Sequence, residues 1–469
     1  MTALWQWDEL VTAGQGRAEG VPSAAITGLS IDSRTLRPGD VFVALKAERD
    51  GHDFVGDAFA AGAAAALVAD SYRRGPKDGA LLHAADTIKA LEAIGRAARL
   101  RGDARIVAVT GSAGKTGTKE MLRLCLSDAG ATHASEKSYN NHWGVPLTLA
   151  RMPRDAEFGV FEMGMNHAGE ILPLTQLVRP HAAIITTVEP VHLQYFGSIE
   201  EIAEAKAEIL QGLVPGGTAV LPHDNPHFAL LKQRAAAIGA RVVSFGYAEA
   251  ADVRCIQANM DARGSSVIAG IGTQRFPYRV GAPGEHYVKN SLAVLAALTA
   301  LRADPMRCLP ALVRVTVPAG RGARTLLEVP GGGRILLIDE SYNANPASVR
   351  AALAAVATVP RADFPRRIAV LGDMLELGVA SADLHRDLKE AVDAAGVDLV
   401  LACGPMMKLL FEGLKPAQQG AWAQHSAGLA QPLLEAVQGG DTVMVKGSLA
   451  SQMAPLVEAL KARFPGAGG

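Results

Sequence analysis

The chain has 469 residues, 49% of them hydrophobic and 20% charged, a balance that suits about three globular domains and excludes disorder as the dominant state. Its 46 Lys and Arg stand against 47 Asp and Glu, a formal net charge of −1, so composition gives no support to nucleic-acid binding but leaves room for a small anionic substrate. Cys125, Cys255, Cys308 and Cys403 form no CxxC pair, which removes a zinc knuckle or dithiol site and suits a reducing compartment. The N-terminus carries Asp8 and Glu9 with no basic residue before Arg17, the opposite of a signal peptide. Apolar runs such as Ala58–Ala69 fall short of the roughly 18 residues a bilayer span needs, so a soluble cytoplasmic protein without membrane insertion is expected.

Along the chain, short β-branched runs alternate with longer Ala/Leu-rich segments, the pattern of α/β folds with buried parallel strands. Residues 1–102 hold candidate strands at Ala24–Ile31 and Val41–Ala44 and a helix at Asp57–Gly62. The second block, 103–317, opens with a strand at Ile106–Thr110 and a helix at Thr118–Ala129. Strands follow at Phe158–Glu162, Ala182–Val188, Ala219–Leu221 and Val242–Phe245, with a helix at Ile199–Leu210. The Gly-punctuated stretch Val253–Arg279 reads as an antiparallel annex, and Asn290–Leu301 as a helix. Val317–Arg324 has the Pro and Gly content of a linker. The third block, 318–469, places strands at Ile335–Ile338, Ile368–Leu371, Leu399–Ala402 and Thr442–Val445 between helices, a doubly wound Rossmann-like sheet. The fold class is therefore α/β in three domains: a small N-terminal one, a central P-loop ATPase type with a parallel sheet, and the Rossmann-like third.

The sharpest motif is TGSAGKTG, Thr110–Gly117, between a strand and a helix. Glycines let backbone N–H groups approach phosphates, and the helix N-terminus adds a favourable dipole. Gly111, Ser112, Ala113, Gly114 and Gly117 would form the cradle, Lys115 would neutralise the β/γ-phosphates, and the Thr116 hydroxyl would sit on Mg²⁺. The strict pattern GxxxxGK[ST] fails only at its first glycine, which is Val109 here. A phosphate loop needs an acidic metal partner at a neighbouring strand end, and Glu162 stands there. His192 follows the next strand; a lone His is more often structural than a ligand. Lys206 has Ile202, Ala203, Ile209 and Leu210 three and four residues away, so it lies on or near a buried face. A snorkelling side chain and one turned inward both satisfy that spacing.

Together with Asn140-Asn141, Gly144 and Pro146, with Glu162–Asn166 and with Phe196-Gly197, these motifs resemble the ATP-dependent Mur ligases of peptidoglycan synthesis. DESYNANP (Asp339–Pro346) and GDMLELG (Gly372–Gly378) resemble the branch that adds D-Ala-D-Ala. The match runs from about Gly28 to Ser448 in the family's order, and the loss of the first glycine at Val109 is normal there. The resemblance implies ATP, two Mg²⁺ ions and an acyl-phosphate mechanism, with UDP-N-acetylmuramoyl-tripeptide and D-Ala-D-Ala as substrates of a monomer. It puts Thr116 and Glu162 on the first magnesium, and His192 and a carbamylated Lys206 on the second.

By the same resemblance, Asn140 and Asn141 would donate amide hydrogen bonds near the γ-phosphate and substrate carboxylate; an Asn pair making a turn is the alternative. HYVKN (His286–Asn290) matches the adenine-side motif with Tyr287 in place of its first Asn, which leaves His286 and Asn290 as contacts. Arg321 matches the linker Arg that reaches the phosphates on domain closure, and Asp339 a nucleotide contact. Glu340 is one methylene longer than the family's Asp. Asn343 and Asn345 are read first as conformational, since Asn-rich turns fit tight loops, and their segment is still placed beside the site, where they are candidate substrate contacts. Ser30, Asp32, Ser33, Arg34 and His52 fall in segments that hold the UDP moiety, Ser33 and Arg34 as polar contacts and Asp32 shaping the turn. Lys446, in KGS, would meet the peptide or the dipeptide carboxylate, or be a strand-end turn.

Two rivals stay in view. The ligase adding diaminopimelate or lysine shares the ATP chemistry, but the diaminopimelate-specific DNPR motif appears here only as DNPH, Asp224–His227, in the second block. A non-ligating ATP-dependent binding protein would have lost a metal partner, whereas Glu162, His192 and Lys206 are all present.

Overall fold

The computed structural model describes residues 3–466 except 48, 137, 191–194, 262 and 318. It is an α/β chain with three sheets. Two compact units divide it: Met1–Pro190 with Ser198–Val315, and Val191–Gly197 with Thr316–Gly469.

The first unit holds two sheets. The smaller runs in the order Arg17–Glu19, Ala80–Ala84, Ala65–Ala69, Asp40–Val43, Gly28–Ser30. Only the first pair is antiparallel. Ala65–Val68 is buried throughout, which is why it reads as a continuous apolar run rather than an alternating one. The helix Thr87–Leu100 covers one face through Ala90, Leu91, Ile94 and Ala98, and the Asp86 carboxylate caps it by accepting from the Ile88 and Lys89 amides. The expected strand Ala24–Ile31 shrinks to Gly28–Ser30.

The larger sheet has nine strands, ordered Gln274–Val280, Gly264–Ile271, Val253–Asp261, Arg241–Gly246, Thr218–Pro222, Ala182–Ile185, Arg105–Thr110, Phe158–Glu162, Thr132–Ala134. The first three form the antiparallel annex, and the rest run parallel. Arg105–Thr110 lies between Ala182–Ile185 and Phe158–Glu162, so the turns leaving these three strands emerge side by side at their carboxyl ends, where open α/β sheets bind ligands. Two helices begin earlier than their periodicity indicates. One spans Lys115–Ser127 instead of starting at Thr118, because the left-handed Gly114 (φ +81°) turns the chain directly into the helix. The other spans Glu285–Ala300 instead of starting at Asn290, again behind a positive-φ glycine, Gly284. The helix expected at Ile199–Leu210 is α-helical to Ala207 and continues as a 3₁₀ turn to Gly212.

The second unit contains a six-stranded sheet: Ala323–Glu328, Arg334–Glu340, Asp441–Lys446, Arg366–Gly372, Leu399–Cys403, Gln419–Ala423. The last five are parallel, and buried clusters cover both faces, as a doubly wound sheet requires. The antiparallel edge strand Ala323–Glu328 starts inside the stretch read as linker. Its outer side meets the segment Pro465-Gly466: the Glu328 amide donates to the Pro465 carbonyl at 2.8 Å, and Leu327 bridges to Gly466. Among the described residues no helix is long and apolar enough to cross a membrane.

Candidate active site

The phosphate loop follows the buried strand Arg105–Thr110 and passes into the helix Lys115–Ser127, whose first amides point out of its N-terminus. Its shape is enforced from the neighbouring strand. The Thr186 hydroxyl donates to the carbonyls of Thr110 and Ala113. A Cβ on Gly111 (φ +149°) would stand 1.9 Å from that same oxygen, so Gly111 admits no side chain. Ser112 is tied to the next turn: its amide donates to Thr187 O at 2.9 Å, and its hydroxyl accepts from the Glu189 amide at 2.9 Å. Lys115 Nζ donates to Gly111 O at 2.6 Å, curling the ammonium over the loop. Thr116 and Gly117 are half-buried in the first helical turn, and Ala113 is exposed.

Glu162 ends the adjacent strand and is 1% exposed. Its Oε1 accepts from Asn140 Nδ2 at 2.9 Å, while Oε2 is buried without a hydrogen-bond partner among the described residues. A buried carboxylate oxygen lacking a donor fits a cation. Asn140 is itself held: its carbonyl accepts from the Gly164 amide at 2.8 Å. Asn141 uses its side-chain oxygen locally, accepting from the Trp143 and Gly144 amides at the start of the helix Gly144–Ala150. The turn alternative thus accounts for the oxygen of Asn141 and leaves its amide group for another partner.

Lys206 is 2% exposed in the helix Ile199–Ala207, as its apolar neighbours predict. Burial, and then the nearby positive charge of Lys115, hold its amine well below the ordinary lysine range. An amine so biased toward its neutral form has the free lone pair that carbamate formation requires. His192 lies outside the described residues. Among the described residues no cluster of three His, Cys, Asp or Glu could hold a metal ion.

The helix Glu285–Ala300 carries the second motif to the loop. Asn290, 7% exposed, lies so near that a Cβ on Gly114 would meet its Oδ1 at 2.8 Å. Tyr287 is buried and packs at 4.3 Å, ring to ring, on the exposed His286. The substituted position therefore belongs to the wall beside the loop.

In the smaller sheet, Ser30 and Asp32 build a turn: Ser30 Oγ donates to Asp32 O at 3.0 Å, and Asp32 grips Arg34 through Nε at 2.9 Å and Nη2 at 2.8 Å. Arg34 remains 82% exposed and Ser33 half-buried. His52 is committed on both ring nitrogens, with Nδ1 at 2.6 Å from Asp50 Oδ1 and Nε2 accepting from the Ala69 amide at 2.9 Å. It pins two segments together and has no ring nitrogen left for a ligand.

In the second unit, Asp339 is 5% exposed and organises two turns: Oδ2 accepts from the Gly320 amide at 2.9 Å and Oδ1 from Ser341 Oγ at 2.6 Å. The Arg321 guanidinium lies 4.1 Å over the Tyr342 ring. Asn343 Oδ1 accepts from the Ala344 amide, and Asn345 caps the helix Pro346–Ala357 in a reciprocal capping box with Ser348. Lys446 Nζ, buried, reaches Glu340 Oε2 at 3.2 Å and Asn343 O at 3.0 Å. Sequence reasoning missed Thr186, Ser112's partner Glu189 and the Glu340–Lys446 pair. For Thr186 a signal existed, a hydroxyl pair directly after the strand Ala182–Ile185.

Comparison with known proteins agrees with this geometry. The chain matches the models for "Mur ligase family, catalytic domain" over residues 25–124, "Mur ligase middle domain" over 109–298 and "Mur ligase, glutamate ligase domain" over 327–449. It is 34% identical to the Escherichia coli (strain K12) UDP-N-acetylmuramoyl-tripeptide--D-alanyl-D-alanine ligase, covering 93% of this chain and 94% of that one. Identity to the Bacillus subtilis protein of the same name is 32%, over 93% of each. A crystal structure of MurF from Acinetobacter baumannii superposes with a TM-score of 0.83 at 30% identity, covering 98% of this chain and 99% of that one. MurF from Thermotoga maritima, solved in complex with ADP, gives 0.74 at 25% identity, covering 93% and 98%. With a shaped phosphate loop, a buried acid beside it and near full-length similarity, the chain belongs to the Mur ligase family.

Proposed function

We infer that the chain joins D-Ala-D-Ala to UDP-N-acetylmuramoyl-tripeptide with consumption of ATP, giving the pentapeptide precursor of peptidoglycan, ADP and phosphate. The observation that carries this reading is the convergence of Lys115, Glu162 and buried Lys206 around the phosphate loop, in a chain similar to such ligases along nearly its whole length. The tripeptide carboxylate attacks the γ-phosphorus, and the β,γ-bridging oxygen leaves with ADP. The D-Ala-D-Ala amine then attacks the acyl carbon, loses its proton, and expels inorganic phosphate as the amide forms.

The difficulty is charge: a carboxylate must approach a polyanion. Lys115 and the helix N-terminus beneath it supply fixed positive potential there. Thr116 and Glu162 would hold one Mg²⁺, and His192 with a carbamylated Lys206 would hold a second; such ions would offset the repulsion between carboxylate and phosphates. Asn140 holds Glu162 and, with the side-chain amide of Asn141, would face the reacting groups. Asn290 and His286 serve the adenine side, and Ser33 and Arg34, set by Ser30 and Asp32, the UDP moiety. Arg321 and Asp339 are the nucleotide contacts proposed for the third domain. Domain boundaries near 102 and 317, a monomer and a cytoplasmic setting complete the proposal.

The test is phosphate release from ATP with UDP-N-acetylmuramoyl-tripeptide, with and without D-Ala-D-Ala, plus product mass. Dipeptide-dependent release and a product heavier by one D-Ala-D-Ala unit are expected. Turnover only when the UDP-muramoyl dipeptide meets a diamino acid would move the reading to the diaminopimelate- or lysine-adding ligase. Absence of all substrate-dependent release would leave a nucleotide-binding protein.

A further inference from the structure

At the carboxyl end of the six-stranded sheet, Glu340 and Lys446 are register partners on adjacent parallel strands. Lys446 is 2% exposed, and a buried ammonium is costly unless its hydrogen bonds are made. Two of them are: one to Glu340 Oε2 at 3.2 Å and one to the Asn343 carbonyl at 3.0 Å. The second contact fixes the turn that follows Glu340. The other carboxylate oxygen faces the opposite turn, since a Cβ on Gly322 would meet Glu340 Oε1 at 3.0 Å. These two turns are already stitched together. The Tyr342 amide donates to Gly320 O at 3.0 Å, Gly322 N donates to Asp339 O at 2.7 Å, and Arg321 lies over Tyr342. The pair therefore sits between the segment that bears Arg321 and the segment that bears Asn343.

We propose that Glu340 and Lys446 are positioning residues that hold the Arg321 and Asn343 turns in one arrangement, and that Lys446 acts on the nucleotide side of the reaction through those turns rather than by touching the dipeptide. The extra methylene of Glu340 gives its carboxylate the reach to meet Lys446 while remaining against Gly322. Glu340 Oε2 and the Asn343 carbonyl take two of the ammonium's three N–H groups, and the side chain is 2% exposed, which leaves little surface for a substrate carboxylate. Burial lowers the Lys446 amine from its ordinary range while Glu340 opposes that fall, as expected of a cation stabilised by this one carboxylate. The proposal rests on the ligase reading for its nucleotide role.

The test compares Lys446→Met, Glu340→Gln, the double variant and Glu340→Asp with the wild-type chain. Affinity for a fluorescent ADP analogue, KM for ATP, KM for D-Ala-D-Ala and kcat are measured, with circular dichroism to establish folding. Each single variant is expected to weaken the nucleotide analogue and to lower kcat/KM for ATP by about tenfold or more, since small misplacements of a binding group carry penalties of this order. KM for D-Ala-D-Ala should stay within about twofold of wild type, a difference small beside that penalty. The double variant should recover part of the loss in Lys446→Met, because it no longer leaves a carboxylate unpaired, and Glu340→Asp should fall between wild type and Glu340→Gln. A selective rise in KM for D-Ala-D-Ala in Lys446→Met would overturn the proposal and make Lys446 a substrate contact. Folded variants with unchanged nucleotide parameters would overturn it as well, leaving a purely structural pair. A wild-type chain without dipeptide-dependent turnover would strike the ligase reading alone, and the analogue-binding arm would still decide the pair.

Discussion

Lys206 and Lys115 are two lysines in one neighbourhood with opposite circumstances. Lys115 is half-buried with its ammonium on Gly111 O, so Lys115→Met removes the charge proposed to meet the phosphates. Steady-state assays should show kcat lowered about 10²–10³-fold, the usual loss when one preorganised electrostatic group is deleted. Lys206 is fully enclosed, and its folded-state pKa lies well below 10.5. Across the window between that depressed value and 10.5, the unfolded chain binds a proton that the folded chain does not. The group's contribution to stability is therefore complete above 10.5 and is lost as pH falls through the window. In buffer stripped of CO₂, Lys206→Met should raise the melting temperature at neutral pH, and the gain should shrink as pH approaches 10.5. A gain independent of pH would place the effect in packing and not in charge. Activity of the same variant should be lost. The burial of Lys206 was legible because four apolar residues occupy its i±3 and i±4 positions. The commitment of both His52 nitrogens was not, since Ala69 lies seventeen residues away in sequence and nothing local announces the contact.

Among the elements, the helix Lys115–Ser127 shows where periodicity stops short. Its apolar repeat begins at Thr118, but the first turn is made of the residues proposed to face the phosphates, which hydrophobic spacing cannot report. The same holds for Glu285–Ala300, whose first turn carries His286 and Tyr287. Gly114→Ala combines a strained positive φ with a Cβ 2.8 Å from Asn290, so nucleotide affinity should be abolished in a titration while the far-UV spectrum is kept. The capping box at Asn345 was readable as Asn-Pro-Ala-Ser ahead of an apolar run, and the structure uses it for the helix Pro346–Ala357. Asn345→Ala should cost about 1 kcal/mol in a denaturant titration, the typical loss of a side-chain cap. A much larger activity loss than that stability change explains would return Asn345 to the substrate contacts. The antiparallel strand Ala323–Glu328 escaped notice because Gly320 and Gly322 made its entry look like linker alone.

At the scale of the whole molecule, the chain was legible as three α/β blocks because each has its own run of buried strands. The pairing of the first two sheets into one compact unit was not, since it rests on contacts such as Trp5 Nε1 to Ala150 O, 145 residues apart. Two compact units imply that thermal unfolding need not be a single transition. Calorimetry should resolve two steps. ADP with Mg²⁺ at about 100 times its Kd should stabilise the step belonging to the unit with the phosphate loop by about 2.7 kcal/mol. An ADP effect confined to the other step would contradict the assignment of the loop as the principal nucleotide site.

The segment Phe464–Gly466 has a bearing on how the protein behaves in the hands of anyone producing it. Pro465 and Gly466 lie along the outer side of Ala323–Glu328, and Phe464 is 4% exposed. A sheet margin with open amides and carbonyls is a template for joining a second chain. Cutting the protein back to Arg463 would bare the backbone of Leu327 and Glu328 and remove the aromatic plug beside them. Such a truncated form should self-associate in light scattering at concentrations where the intact chain stays dispersed. A purification tag fused beyond Gly466 leaves that margin shielded, whereas one spliced in at residue 464 unseals it.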